Sequence, residues 1–420
     1  QLSYEAKLSD FIVSHQVEEL RTFEIDDRFM EARIQHFCKI HALRFTQLRS
    51  PKFLTSRSEF GDYLAAVEKP FMKTFYEQRR RSMNLLMHGD RPEGGRFSFD
   101  AENRRRLPKT VEPPELPTAI HSEHTRDVLA LVERQFPDHP GRTTDFWLPT
   151  TRPEARRWAD RFFTERLPWF GDFQDALTHR SNFVFHSVLT PWLNMGLLTP
   201  EELVRDALDA YATGGVSLNS VEGFIRQVVG WREFVNGIYR HFDDQQSSTN
   251  FFGHRRQLSR VWYGGTSGVP PLDDALKKVE RYGYAHHIER LMLFANIMLL
   301  CRVAPLTGHR WFMEQFVDSA DWVMGPNVYG MGLFSDGGLF ATKPYICGSN
   351  YWLKMSDYKR GEWCDAIDGL YWDFIADNRA FFAGNHRMKM MTTALDKMTA
   401  EKRARLSAAA QELTAALTTD

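Results

Sequence analysis

The chain has 420 residues, 43% of them hydrophobic and 13% aromatic, and its formal net charge is -1. The length allows two or three domains, and the near-zero charge excludes a protein surrounded by a basic field, so any nucleic-acid contact must come from a local patch. No apolar run is long enough to span a bilayer and the first residues lack a signal-peptide pattern, so we expect a cytoplasmic protein without membrane contact.

The first fifty residues alternate between helical and extended patterns. Helices are predicted over 3–16 and 26–42, and strands over 19–25 and 43–48. This β-α-β rhythm indicates a parallel sheet, although two strands are too few for a doubly wound one. We therefore predict a partial, Rossmann-like α/β domain over residues 1–85.

A connecting region follows over residues 86–152. It is preceded by a predicted helix with a basic end at 70–81, and it contains a Gly- and Pro-rich loop at 88–109 that includes Arg104–Arg106. The arginines have two interpretations, a solvated face or contact with phosphate. The Pro-rich remainder is predicted to hold one helix near Glu123–Phe136.

Helical periodicity dominates from residue 153 to residue 420. The fold class predicted for the whole chain is therefore mainly α, with a large all-helical domain after the small α/β domain. Typical helical runs are PEARRWADRFFTERL, PEELVRDALDAYATG, SVEGFIRQVVGWREFVNGIYRHF and MTTALDKMTAEKRARLSAAAQELTAAL.

The segment Phe183–Leu203 places hydroxyl groups at the starts of helices. Ser187 and Thr190 come just before one predicted helix, and Thr199 with Pro200 suits the N-cap and first position of the next. Hydroxyls and free backbone amides at a helix start can hold a diphosphate. The alternative is that they are ordinary helix caps.

The segment 222–239 carries charges beside tryptophan. Glu222, Arg226 and Glu233 recur at helical spacing around Trp231. Buried charges have to be paired or functional, so this segment is either a structural salt-bridge network or part of a binding site.

A third candidate region runs from Tyr284 to Asn350. His286 and His287 are adjacent at the start of an apolar helical pattern, and because successive helical residues are about 100° apart, one can face a pocket while the other lies in its wall. Asp318 and Asp321 precede a long Gly- and Asn-rich segment. Carboxylates, aromatic rings and exposed amides suit a planar heterocycle; the alternative is a packed helical core with a long loop.

Five phrases of the sequence are long and specific. They are YAHHIERLM at Tyr284–Met292, DWVMGPNVYGM at Asp321–Met331, DGGLFATKPY at Asp336–Tyr345, PEGGRFSFDAENRRRLP at Pro92–Pro108 and WREF at Trp231–Phe234. Together they resemble the bacterial cryptochrome and (6-4) photolyase family, in the branch that usually carries an iron–sulfur cluster. The resemblance extends over residues 15–392 and implies that the helical domain binds FAD.

The resemblance implies a blue-light-driven enzyme in which reduced FAD passes an electron to a (6-4) photoproduct flipped out of DNA. UV-damaged DNA would be the partner, and we expect a monomer. The alternatives are a cryptochrome-like photoreceptor that photoreduces FAD without repair, and a light-independent relative that has lost the cofactor. The pair of histidines favours repair.

The resemblance also implies roles for single residues. His287 is the first choice, and His286 the second, for the histidine that supplies a proton during repair. Trp311 and Trp262 match positions that relay electrons to the flavin. The implied cofactor-binding residues are Ser187, Leu189, Thr190, Glu222, Arg226, Trp231, Asp318, Asp321, Asn327, Asp336 and Tyr345.

The sequence departs from the family at the iron–sulfur cluster, which needs four thiolate ligands. The cysteines Cys38, Cys301, Cys347 and Cys364 have no CxxC spacing, only Cys364 stands at a ligand position, and Pro271 occupies another. We therefore predict no iron–sulfur cluster, no other metal and no disulfide framework. The incomplete α/β domain also makes the family's antenna pigment doubtful here.

Overall fold

The computed structural model describes residues 3–420, and its N-terminal part is a small α/β unit. Helix α1 (Tyr4–Ser14), strand β1 (Glu19–Phe23), helix α2 (Arg28–Ile40) and strand β2 (Arg44–Leu48) follow in order. The strands pair in parallel, with Glu19 opposite Arg44. The predicted parallel pair is confirmed; β1 ends earlier than predicted because Asp27 already accepts from the Met30 amide as the N-cap of α2.

Two helices and a hairpin connect this unit to the rest of the chain. Helix α3 (Arg57–Ala65) begins with a capping box between Ser56 and Glu59, and α4 (Met72–Ser82) matches the predicted basic helix. Strands β3 (Met87–His88) and β4 (Arg91–Pro92) form a short antiparallel hairpin, and the Pro-rich stretch holds α5 (Glu123–Gln135).

Helices make up most of the remainder, as predicted. They are α6 (Arg152–Arg161), α7 (Leu167–Phe173), α8 (Thr190–Met195), α9 (Pro200–Ala212), α10 (Leu218–Ile225), α11 (Glu233–Ser248), α12 (Pro270–Tyr282), α13 (Asn296–Leu300), α14 (Pro305–Gln315), α15 (Asp321–Gly325), α16 (Ser349–Met355), α17 (Trp363–Asp377), α18 (Arg379–Gly384), α19 (Lys389–Asp396) and α20 (Ala400–Leu417). Strand β5 (Gln257–Leu258) pairs antiparallel with β6 (Thr418–Thr419) and ties the end of α20 to the domain.

Four π-helical segments interrupt the regular helices. They cover Phe162–Arg166, Arg226–Arg232, Glu289–Ala295 and Pro326–Gly332. A π-helical turn is rare because it widens the helix, and it is found most often at functional sites. Sequence periodicity predicts only an α-helix at these places, since one extra residue per turn leaves no distinct signal.

The hydrophobic core is divided into several clusters. Ile288 belongs to the largest, Phe224 to the second, and Trp322 packs against a third that joins α3, α4 and α11. All three side chains also line one cavity, so the clusters meet around it. Within residues 3–420, we find no helix with the combined length and apolar character needed to cross a membrane.

Candidate functional site

A cavity of about 900 Å³ lies in the helical part of the chain. This volume is at the upper end of the range typical of small-molecule and cofactor sites. Its wall is made by α4, the loop over 96–104, the segment before and into α8, and three of the four π-helical segments. The π-helical segments contribute Arg226, Gln227, Val228, Trp231, Arg232, Arg290, Leu291, Asn327 and Met331.

Most of the residues that the sequence singles out converge on this cavity, although they lie far apart in the chain. The segments before α8, after α12 and after α14 each bring part of the set. The predicted residues that line the cavity are His287, Ser187, Leu189, Thr190, Arg226, Trp231, Asp318, Asn327 and Tyr345.

One side of the cavity is organised by Asp318. The Thr190 hydroxyl donates to its Oδ2 at 2.7 Å, and Nη2 of Arg290 lies 3.0 Å from its Oδ1. The Asn194 amide donates to the Asp318 carbonyl at 2.8 Å, so α8 is held at both ends to the segment that precedes α15. Sequence analysis missed Arg290, which it could have found as the one cation inside the apolar pattern after the histidine pair.

A second side is organised by Arg226 and Glu222. Glu222 is fully buried behind the wall, where its carboxylate accepts from the Tyr76 hydroxyl at 2.9 Å and the Phe99 amide at 3.0 Å. It also accepts from Nε of Arg226 at 3.2 Å. Glu222 therefore does not line the cavity; it holds Arg226, whose Nη1 reaches Asp100 at 3.2 Å.

Three histidines form the third side. His287 is 43% exposed and its Nε2 lies 3.4 Å from Oδ1 of Asp175, which also lines the cavity. His286 is buried in the wall, with its ring stacked on that of His186 at 4.6 Å between centroids. Burial lowers the pKa of both His186 and His286 well below the ordinary value for histidine. Sequence analysis missed His186 and Asp175, because no local pattern marks either residue, although His186 directly precedes Ser187 in the segment Phe183–Leu203.

The chain is similar to known proteins in both sequence and fold. A (6-4) photolyase of Agrobacterium fabrum is 37% identical over 369 residues, which are 86% of this chain and 73% of the relative. The chain belongs to the photolyase/cryptochrome family. The family model described as "Deoxyribodipyrimidine photo-lyase-related protein" also matches residues 1–148.

Solved structures of the photolyase/cryptochrome family share the fold. A bacterial class III photolyase from Agrobacterium tumefaciens superimposes with a TM-score of 0.55 at 16% identity, over 99% of this chain and 83% of its own. A cryptochrome of Synechocystis sp. PCC6803 gives a TM-score of 0.52 at 12% identity, over 96% and 77%. At these identities the likeness concerns the fold alone.

Two carboxylates expected at the cofactor lie elsewhere in this photolyase-family chain. Asp336 accepts from the backbone amides of Gly338 and Phe340 and from the Gln246 amide, so it fixes the turn at 336–340. Asp321 begins α15, 3.7 Å from Nε2 of His309. Neither carboxylate lines the cavity.

Thr199 also lies outside the cavity wall. It is the N-cap of α9, with Pro200 at the first position and a capping box to Glu202, as the sequence predicts. Its hydroxyl accepts from the Glu202 amide, so this helix start is an ordinary cap.

The two tryptophans proposed as an electron relay are neighbours in the core. The rings of Trp262 and Trp311 are 5.5 Å apart in a T-shaped arrangement, and both side chains are 1% exposed. Trp311 packs on Phe294 at 5.1 Å, within the π-helical segment that also supplies Arg290 and Leu291 to the cavity. The pair therefore lies behind the wall and does not line the cavity.

Cysteine thiols and a cluster of histidine rings offer potential metal ligands. All four cysteines are buried free thiols. Among the described residues, 3–420, the one group of three or more potential ligands is His186, His286 and His287, whose nitrogens lie within 4.8 Å of one another. The absence of an iron–sulfur cluster stays a prediction.

Proposed function

We propose that this chain is an FAD-dependent photolyase that repairs (6-4) pyrimidine photoproducts in DNA under blue light. The observation that carries the proposal is the position of His287. It is a half-exposed imidazole at the wall of a cofactor-sized cavity, with a carboxylate beside it. A flipped base entering the cavity would meet a proton donor there.

The cavity has the chemistry that a flavin dinucleotide needs. Apolar and aromatic side chains make up much of its wall, and Trp231 and Trp322 offer flat surfaces. Backbone and side-chain groups around Ser187 and Thr190 would hold the phosphates, and Arg226, Asn327 and Asp318 would bind polar edges. When bound, the reduced flavin would supply the light-driven electron.

The protein's own chemistry in this proposal is proton transfer. Asp175 Oδ1 lies 3.4 Å from Nε2 of His287 and is placed to hold a proton on that nitrogen. With Nε2–H directed at Asp175, the imidazolium form of His287 would give the proton of its other ring nitrogen, Nδ1, to the lesion as negative charge develops there, and the neutral ring would take it back when the bridging group returns. Asp175 would stay ionised and keep the ring oriented.

DNA would reach the cavity across cationic side chains at its edge. Lys73, Arg96 and Arg104 line the cavity, and their side chains are 68%, 49% and 60% exposed. Arg96 and Arg104 are paired with Glu102 and Asp100, so a phosphate would have to exchange with these carboxylates. Such contacts position DNA without reading its sequence.

A cryptochrome-like photoreceptor is the second candidate, and the T-shaped contact between Trp262 and Trp311 favours it. A relay of this kind allows light to reduce the flavin without any DNA. The two candidates share the cavity and differ in whether His287 acts on a lesion.

The test begins with the colour of the purified chain. Flavin binding gives an absorbance band at about 450 nm; a colourless protein that takes up no added FAD would leave only the light-independent relative. Yellow protein is then incubated with DNA containing a (6-4) photoproduct under blue light. Restored bases support repair, and photoreduction without repair supports the photoreceptor.

The variant His287→Ala sharpens the test. It should keep FAD and lose repair by roughly a hundredfold or more, the usual contribution of a positioned proton donor. The matched control is His139→Ala, an exposed histidine away from the cavity, which should repair normally. Retained repair by His287→Ala would refute the role of this imidazole.

A further inference from the structure

A buried ion pair lies directly behind the histidines. Nζ of Lys278 in α12 is 2.9 Å from Oε1 of Glu289, and the two side chains are 5% and 2% exposed. Lys278 also donates to the Thr178 carbonyl at 2.9 Å and lies 3.1 Å from Asp274. Burying such a pair is often no more stabilising than filling the space with apolar side chains. Its presence next to the cavity therefore points to a function beyond packing.

The other carboxylate oxygen of Glu289 faces His286. Oε2 accepts from the His286 backbone amide at 3.3 Å and lies 3.6 Å from Nε2 of the same residue. Lys278 thus occupies one oxygen, while the other accepts from the His286 backbone amide and faces the His286 imidazole at 3.6 Å. Because an ammonium can only donate, Lys278 keeps Oε1 as an acceptor and fixes which oxygen is left for the imidazole.

The imidazoles themselves have unused hydrogen-bonding atoms. Within residues 3–420, Nδ1 and Nε2 of His286 and Nε2 of His186 are buried without a hydrogen-bond partner. A neutral imidazole has one donor nitrogen and one acceptor nitrogen, and its surroundings decide which is which. A buried polar atom without a partner needs an explanation, and here three of them lie at the edge of one cavity.

A metal ion does not explain these atoms. The rings of His186 and His286 are stacked at an interplanar angle of 10°. An imidazole binds a metal through a lone pair in the plane of its ring, and lone pairs of two stacked rings run parallel instead of converging on one ion.

We propose that Glu289, held as an acceptor by Lys278, is a positioning residue that keeps the proton of His286 on Nε2 and leaves its Nδ1 as an acceptor beside the cavity histidines. In the repair reaction, on which this role rests, His286 would then not compete with His287 as a donor. Nδ1 of His286 would also be available as a hydrogen-bond acceptor beside His186 and His287 while the proton of His287 is on the lesion. A carboxylate that fixes a tautomer acts in this way in other enzymes.

The variant Glu289→Gln tests the inference. Lys278 can only donate, so it will take the amide oxygen of Gln and turn the NH₂ group toward His286. Nε2 of His286 then faces a donor and has to accept, which moves the ring proton to Nδ1. The measurement is the ring-nitrogen correlation spectrum of the full chain labelled in its histidine side chains, kept dark and without DNA. The signal of His286 is assigned by its loss in His286→Asn.

The double variant Lys278→Met with Glu289→Gln separates this effect from damage to the fold. Without the ammonium the amide is free to turn, so its oxygen faces His286 again and Nε2 regains the proton. The expected order is therefore Nε2–H in the wild type, Nδ1–H in Glu289→Gln and Nε2–H in the double variant. The matched control is Glu31→Gln in the α/β unit. Glu31 is also a buried carboxylate in an ion pair, in its case with Arg57, and its replacement should leave the His286 signals unchanged.

An unchanged tautomer in all three proteins, or Nδ1–H in the wild type, would overturn the inference. If Glu289→Gln does not fold, the wild type alone still decides it, since Nε2–H on His286 there supports the inference and Nδ1–H overturns it. Since the readout needs neither light nor a lesion, its failure is distinct from a failure of the repair assay.

Discussion

Asp318 and Asp321 are three residues apart, yet their carboxylates have different surroundings. Asp318 is 5% exposed and is held by Thr190 and Arg290 at the cavity wall. Asp321 is turned toward His309 and the core. The sequence places both in one candidate group because it shows their spacing but not the direction in which each side chain points near the start of α15. Only Asp318 therefore lies where a cofactor could meet it.

This difference predicts that replacing aspartate by asparagine will affect FAD binding at position 318 but not at position 321. Asp318→Asn should weaken FAD binding about tenfold or more, because it removes a charged acceptor worth roughly 1.5–3 kcal/mol and leaves Arg290 without its partner. Asp321→Asn should leave FAD affinity within about twofold of the wild type. Flavin titration of the stripped protein measures both, and equal losses would contradict the assignment of Asp318 to the cavity wall.

Some of the residues that line the cavity could be predicted from the sequence and others could not. His287, Trp231, Asn327 and Tyr345 stand in the phrases that carry the resemblance, Arg226 was found from the spacing of charges in 222–239, and all five line the cavity. His186, Asp175 and Arg290 also line it. Arg290 stands within the phrase YAHHIERLM, but the sequence analysis singled out none of the three, and the fold brings them to the histidine pair. Asp336 was found from its phrase and lies elsewhere, since a conspicuous phrase can equally well encode a turn.

At the scale of elements, the sequence predicts the helices better than their irregularities. Thr199 and Pro200 predict the start of α9 because capping chemistry is local. The π-helical turns at Arg226–Arg232, Glu289–Ala295 and Pro326–Gly332 leave no comparable signal, although they build the cavity wall. They depend on tertiary packing, which single-sequence periodicity cannot show.

The contact between α17 and α20 depends on one glycine. A Cβ on Gly369 would lie 2.0 Å from the backbone oxygen of Leu406, which a side-chain rotation cannot move away. Gly369→Ala should therefore lower the free energy of unfolding by about 1–3 kcal/mol, even after the gain in helix propensity.

The control for Gly369 is Gly61 in α3. A Cβ there meets nothing within 4 Å, so Gly61→Ala should stabilise the chain by up to about 1 kcal/mol. Denaturant unfolding of the two variants measures the difference in sign. Stabilisation by Gly369→Ala would show that α20 does not pack on α17 in this way.

At the scale of the whole molecule, α11 joins the α/β unit to the helical domain. Arg28 of α2 binds Asp243 at 3.0 Å and Asp244 at 2.9 Å, and the Thr55 amide donates to Glu233 at 2.7 Å. Burial, with a smaller contribution from the nearby negative charge of Asp321, raises the pKa of Asp243 to about 6. These contacts hold the two-stranded parallel sheet in a fixed position relative to the cavity.

Histidines with lowered pKa values contribute to the response of the whole fold to acid. Burial is the first cause of a lowered pKa at five of them, which are His186, His241, His254, His286 and His309. Below about pH 6.5 these imidazoles bind protons in the unfolded chain but not in the folded one, so the free energy of unfolding decreases as the pH falls. Asp243 acts in the opposite sense, since its raised pKa makes the folded state bind a proton below about pH 6.

We predict that replacing His186 and His286 together by Gln will flatten this acid response. Each imidazole contributes up to about 1.4 kcal/mol per pH unit below its unfolded pKa, so the double variant should reduce the slope by up to about 3 kcal/mol per pH unit. Denaturant unfolding at several pH values between 7.5 and 5 measures the slope. The matched control replaces the exposed His124 and His139 and should keep the wild-type slope. If the double variant is as acid-sensitive as the wild type, His186 and His286 bind protons in the folded state as readily as in the unfolded state. That result would contradict their burial in the wall behind His287.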